Sequence, residues 1–173
     1  MTDKRRILGI DPGSRLTGFG VLDFSGDRPS YVASGTIRSH DGDFAERLRQ
    51  IFDSVGDIVA EYRPDTVVIE SVFMHKNAGS ALKLGHARGV AMLAGVIQSL
   101  PVYEYTPAQV KQAVTGKGNA AKAQVQHMMK VLMGLSALPS SDAADALAVA
   151  LCHGHTRATE RHIDDQRRRA ESR

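Results

Sequence analysis

Cysteine is almost absent from this 173-residue chain: Cys152 stands alone, tryptophan is missing, and aromatic residues make up only 5%. A single thiol excludes an internal disulfide framework and a zinc site built from several cysteines, and it agrees with a reducing compartment. No stretch reaches the ~18 uninterrupted apolar residues of a membrane-spanning helix. Near the N-terminus, Ile7-Leu8-Gly9-Ile10 is too short for the core of a signal peptide. Internal repeats and linker-like segments are also missing. What remains is ordinary globular composition, 42% hydrophobic and 24% charged, long enough to bury one substantial core. A soluble cytoplasmic protein, with no membrane partner, is expected.

Acid is scarce in the middle of the chain. Residues 71–141 carry seven Lys and Arg side chains against the single acid Glu104, whereas residues 1–70 carry nine basic against twelve acidic residues. The formal net charge of +3 hides this division. A basic middle between acidic positions suits a protein that holds a polyanion and keeps a few carboxylates for chemistry. A solvated lysine-rich surface would give the same count.

Arg6 to Asp11 reads as a short buried strand, broken by Pro12-Gly13-Ser14. Gly18 to Phe24 and Tyr31 to Ile37 complete a three-stranded antiparallel meander around the turn Gly26 to Pro29. Asp43 caps a helix whose apolar positions, from Phe44 to Tyr62, recur at the helical period and stop before Pro64. Thr66 to Glu70 is a β-branched strand, and a strand-helix-strand order places it parallel to the first. Ala78 to Leu100 predicts a helix with small or apolar residues nearly all round. Gly85, Gly89, Ala91 and Gly95 suggest close packing on it, and its second apolar face suggests a homodimer. Val102 to Tyr105 is a fifth strand, and Thr106-Pro107 starts a helix through Val114. Asn119 is expected to cap the next helix, through Met133, and a last helix runs from Ser141 to about His153. Together these make an α/β fold, a mixed five-stranded sheet with helices on both faces. Residues 1–153 form one domain in this reading, and residues 154–173 a charged, flexible tail.

Four carboxylates stand out by placement. Asp11 and Glu70 end buried strands, and Asp142 and Asp145 lie three apart in the first turn of the last helix, ~5–6 Å apart on one face. If the four meet, like charges raise one another's pKa unless cations intervene. Two Mg2+ ions would balance four carboxylates and suit a site of hard oxygen ligands without clustered His or Cys. Such a pair activates water on one side of a phosphodiester and stabilises the leaving oxygen on the other. The plainer alternatives are a helix cap at Asp142 and an Asx turn at Asp11.

The segments Ile10-Asp11-Pro12-Gly13-Ser14-Arg15-Leu16-Thr17-Gly18-Phe19-Gly20, Val68-Ile69-Glu70-Ser71-Val72-Phe73, Pro107-Ala108-Gln109-Val110-Lys111, Lys122-Ala123-Gln124-Val125-Gln126 and Ser141-Asp142-Ala143-Ala144-Asp145-Ala146-Leu147-Ala148 resemble, in order, the bacterial RuvC family of Holliday-junction resolvases. The likeness runs from about residue 5 to 153. It implies an RNase H-like fold and a homodimer that nicks two strands of a four-way DNA junction symmetrically in recombination and repair. It further implies Mg2+, with Mn2+ as a substitute, held by Asp11, Glu70, Asp142 and Asp145, and cooperation with RuvA and RuvB. Phe73 would stack on an unpaired base, and Lys111 and Lys122 would lie near the scissile phosphate. Lys76, Lys83, Arg88 and Lys117 are further candidates for DNA backbone contacts.

Other signals carry less. Gly116-Lys117 is followed by Gly118, so it is no P-loop. His153 and His155 read as helix-end or surface groups, and Cys152 as a packing residue. An actin-class ATPase shares the opening strand and meander but needs a second domain, for which the chain has no room. A DNA-binding module without cleavage would leave four carboxylates facing an anion.

Overall fold

The computed structural model describes residues 4–40, 42–71 and 77–171. Strand β1 (Lys4–Asp11) pairs antiparallel with β2 (Leu16–Ser25), and β2 with β3 (Arg28–Arg38), which is the expected meander. Asp43 caps helix α1 (Phe44–Tyr62) by accepting the Glu46 N–H at 2.8 Å. The helix ends at Arg63, left-handed at φ 49, just before Pro64. Strand β4 (Thr66–Glu70) runs parallel to β1, and helix α2 (Ala78–Ile97) crosses to β5 (Val102–Tyr105), parallel to β4. The sheet order is therefore β3-β2-β1-β4-β5. A capping box between Thr106 and Gln109, with Pro107 in the first turn, starts α3 (Pro107–Thr115). Helices α4 (Lys122–Leu132) and α5 (Ser141–Glu171) follow. Among the described residues no helix is long and apolar enough to cross a membrane.

Strand alternation divides the core into two layers. Leu8, Ile10, Val21, Val67 and Ile69 meet Ile51 and Val55 of α1 and Ala87 and Ala91 of α2 on one face. Ile7, Leu22 and Val68 meet Leu147 and Leu151 of α5 on the other, with Val110, Val125 and Met129 of α3 and α4. Asp11 shares the parity of Ile7, and Glu70 that of Val68. Both strand-end acids are thus assigned to the α5 face.

Several sequence expectations need correction. Helix α5 does not stop near His153 but continues to Glu171; its polar last turns lack aliphatic periodicity because they leave the core, not because the helix ends. Helix α2 stops at Ile97 rather than Leu100: Ser99 turns left-handed at φ 59, and Leu100 stands before Pro101, a position that disfavours helix. Asn119 does not cap α4; Ala121 holds that position, with no side-chain hydrogen bond to the helix. Close packing on α2 holds at Ala91, which is fully buried, and at Gly95, where a Cβ would lie 3.1 Å from Val67 Cγ2, while Gly85 and Gly89 face open space. His153 is neither a helix-end nor a surface group. It is 4% exposed, with Nδ1 3.0 Å from the Tyr105 hydroxyl and its ring against Tyr103. Cys152 is buried, as expected.

A second buried polar feature is fully balanced. Asp23 receives Arg6 Nε at 2.8 Å and Nη2 at 2.9 Å, and Lys4 adds an ion pair at 2.9 Å. The Arg6 hydrogen bonds hold the Asp23 carboxyl below its ordinary range.

Burial pushes the His153 imidazole down from 6.5 to about 4, with repulsion from Arg157 adding to the effect. The unfolded chain therefore takes up this proton first. The stability associated with a neutral His153 is present above the unfolded pKa and is lost as pH falls from about 6.5 toward 4. Urea unfolding should show the wild type losing about 2–3 kcal/mol more than His153→Gln between these limits. Parallel pH profiles for the two proteins would refute this assignment.

Candidate active site

Glycine governs how closely α5 approaches the sheet. A Cβ on Gly9 of β1 would strike the Ala146 carbonyl oxygen, and one on Gly18 of β2 would strike the Asp142 carbonyl. Gly20, the ladder partner of Gly9, lies beneath the Leu147 backbone. Alanines on the helix complete the contact: Ala143, Ala144, Ala146, Ala148 and Ala150 are all buried. Helix backbone therefore rests directly on strand backbone. Gly18 is also the ladder partner of Asp11, so Asp142 stands over the residue beside Asp11.

Asp11 and Glu70 follow Ile10 and Ile69, which are paired in the parallel β1–β4 ladder. Beyond Asp11, the buried Thr17 hydroxyl donates to the Gly13 carbonyl at 2.9 Å and accepts the Gly13 N–H at 3.3 Å, fixing the loop. Beyond Glu70, the Ser71 N–H donates to the Tyr105 carbonyl at 2.8 Å and extends the pairing with β5. Ser140 caps α5 by accepting the Ala143 N–H at 3.3 Å, so capping does not account for Asp142. Asp145, one turn further on, pairs with Lys122 Nζ at 2.7 Å.

The acids act on one another's charge. Burial, then Glu70 and Asp145, raise the Asp11 carboxyl from 3.8 to about 8. Burial and Asp145 raise Glu70 from 4.5 to about 7, against the opposing pull of Lys122 and Lys111. Burial also raises Asp145, and Lys122 opposes it. Burial alone would lower Lys122, but its hydrogen bond to Asp145 and the charges of Asp145 and Asp11 hold it above its ordinary value. Two basic side chains thus leave neighbouring carboxylates short of positive charge. Among the described residues no group of three or more His, Cys, Asp or Glu side chains is arranged to hold a metal ion. The donor chemistry nevertheless fits a hard divalent cation. Oxygen ligands predominate, their mutual repulsion would be relieved by added positive charge, and Asp145 is turned to Lys122.

The other sequence candidates fall in different places. Lys111 on α3 is half-buried and acts on Glu70 and Asp145 through space. Lys117 is exposed between α3 and α4. Lys83 and Arg88 lie on α2, which packs on the opposite face of the sheet, and Arg88 is engaged by Glu104 of β5. Phe73 and Lys76 lie outside the described residues. Sequence reasoning missed Thr17 and the glycine floor. The signal was present as Gly9, Gly18 and Gly20, but only strand register shows that they form one surface.

A family model described as "Crossover junction endodeoxyribonuclease RuvC" matches residues 7–153. The chain belongs to the RuvC family. A RuvC-family relative from Methylococcus capsulatus is 58% identical over 154 residues, covering 89% of this chain and 93% of the relative. Another, from Hahella chejuensis, is 58% identical over 151 residues, covering 87% of this chain and 88% of the relative. The solved structure of Thermus thermophilus RuvC in complex with a Holliday junction substrate superposes with a TM-score of 0.84 at 33% identity, covering 90% of this chain and 96% of that one. The yeast mitochondrial Holliday junction resolvase shares the fold alone, with a TM-score of 0.68 at 13% identity, covering 91% of this chain and 81% of that one. The expected RNase H-like resolvase fold is borne out.

The glycine floor gives a direct test. Gly18→Ala should lower stability by about 3 kcal/mol, because helix and strand backbones must separate. Gly56→Ala on α1, where nothing lies within 4 Å of the added Cβ, should instead raise it by ~0.5–1 kcal/mol. Chemical denaturation of both variants checks the pair; equal effects would rule out the close approach as the cause.

Proposed function

We propose that this chain is a divalent-metal-dependent endonuclease that resolves four-way DNA junctions by paired, symmetric phosphodiester hydrolysis. The observation that carries this reading is that the strand-end acids Asp11 and Glu70 lie within charge range of Asp145, with Asp142 beside Asp11, and only Lys122 and Lys111 offset them. The family relationship and the RuvC relative solved with a Holliday junction supply the substrate class. Mg2+ is the proposed cofactor, two ions per site, with Mn2+ able to substitute. When bound, these ions would activate water and stabilise the leaving oxygen.

The four carboxylates would hold the cofactor, while the α5 contact and the Thr17–Gly13 bonds keep them from drifting apart. Lys111 and Lys122 border the acids and would draw a phosphate into place. Hydrolysis adds water across the bond and leaves 5'-phosphate and 3'-hydroxyl ends. Phe73 is proposed to stack on a junction base, with Lys76, Lys83, Arg88 and Lys117 as weaker backbone contacts. Residues 1–153 would form the catalytic unit, with the charged segment from residue 154 onward continuing α5 beside it. RuvA and RuvB remain the proposed partners, and the cytoplasm the proposed location.

Paired nicking needs two sites, and α2 suits a homodimer. Its Leu82, Leu93, Val96 and Ile97 are 65%, 49%, 55% and 58% exposed, an apolar face away from the sheet.

Purified protein with Mg2+ should nick a synthetic four-way junction in preference to linear duplex, and a chelator should abolish cutting. Asp11→Asn should cut at least about a hundredfold more slowly while still binding the junction in a gel-shift assay. Cutting at the wild-type rate by that variant would overturn the reading. In sedimentation, the wild type should run as a dimer and Leu93→Glu as a monomer; a monomeric wild type at working concentration would remove the paired mechanism.

A further inference from the structure

We propose that Lys122 is an internal counter-ion for Asp145, which a divalent metal must displace in order to bind. This rests on the metal-dependent reading above and adds a positioning role for the lysine toward the metal.

The two partners differ in freedom. The Lys122 side chain is 58% exposed, whereas the Asp145 side chain is only 17% exposed. Breaking the pair would leave the ammonium in water at little cost but leave a carboxylate half-enclosed among other carboxylates. Lysine suits such a temporary hold, since it carries a compact charge on a flexible four-carbon stem. Helix stability does not explain the residue. Lys122 begins α4, where Ala121 supplies no side-chain cap, and a cation at a helix start opposes the helix dipole. Its compensation comes from α5, in the 2.7 Å contact with Asp145, and from the nearby charges of Asp11 and Asp142.

The Asp145 carboxylate therefore has two competing claimants, and binding to one weakens binding to the other. Metal loading carries the cost of expelling the ammonium, and an expelled ammonium is free for a DNA phosphate. Cofactor and substrate then become coupled through one lysine. A lysine serving only as a phosphate contact would leave metal affinity in the absence of DNA unchanged.

Calorimetric titration of the DNA-free full chain with MnCl2 tests this without reading activity. Lys122→Met, which removes the charge but keeps the stem, should bind Mn2+ about tenfold more tightly than wild type. Lys122→Arg should stay close to wild type, as should Lys130→Met on the same helix. Circular dichroism and thermal melts establish that each variant is folded. Equal or weaker Mn2+ binding by folded Lys122→Met, beside measurable wild-type binding, would overturn the counter-ion role and leave the metal site intact. Binding in neither protein would overturn the metal reading and this inference together. Equal tightening in Lys130→Met would reduce the effect to net charge and overturn it as well.

Discussion

Backbone-to-backbone contact between α5 and the β1–β2 pair is the constraint on which the rest of the molecule depends. Side chains normally hold a helix away from a sheet. Here Gly9, Gly18 and Gly20 remove them on one side, and a run of alanines reduces them on the other. The first turn of α5 therefore comes down to the level of the strand ends. Two aspartates on one helical face reach two acids that the pleat has already turned toward them. No long-range attraction assembles these acids, which repel one another; apolar burial elsewhere along the helix holds them in place.

Two carboxylate environments in the same sheet show how that burial is used. Asp23 is enclosed, yet Arg6 and Lys4 compensate it, and its proton is lost more easily than usual. Asp11 is enclosed among other acids, and its proton is held to about 8. The first arrangement contributes to stability. The second opposes it and is tolerated because the large core on both faces of the sheet outweighs the local repulsion.

Much of the fold was legible because local signals agreed with tertiary ones. Strands β4 and β5 have the bounds expected from their β-branched and aromatic runs, and Thr106-Pro107 opens α3 as its chemistry dictates. The four acids were legible from position alone, as charges at the ends of apolar strands and at a helix start. Other features depend on pairing across the fold. Nothing local distinguishes Gly9 or Gly18 from an ordinary strand glycine until register sets them under α5. The Lys122–Asp145 pair spans two helices whose approach no periodicity encodes. His153 looked like a terminal residue because hydrophobic patterning fades after Leu151, although the helix continues and Tyr103 and Tyr105 enclose the ring. At Asn119, a good capping residue sits two positions too early, and α4 begins without a side-chain cap.

Helix α5 also ties the position of two of the four acids to the integrity of the whole domain. The segment bearing Asp142 and Asp145 continues without a break into Leu147 and Leu151, the centre of one hydrophobic layer, and onward to Glu171. Loops that bear functional groups often loosen while the rest of a protein stays folded. Here Asp142 and Asp145 sit at the start of the same helix that carries Leu147 and Leu151, so their placement depends on how that helix packs on the sheet. A change in the core contacts of Leu147 and Leu151 is thereby carried along one rigid element to the carboxylates at its start.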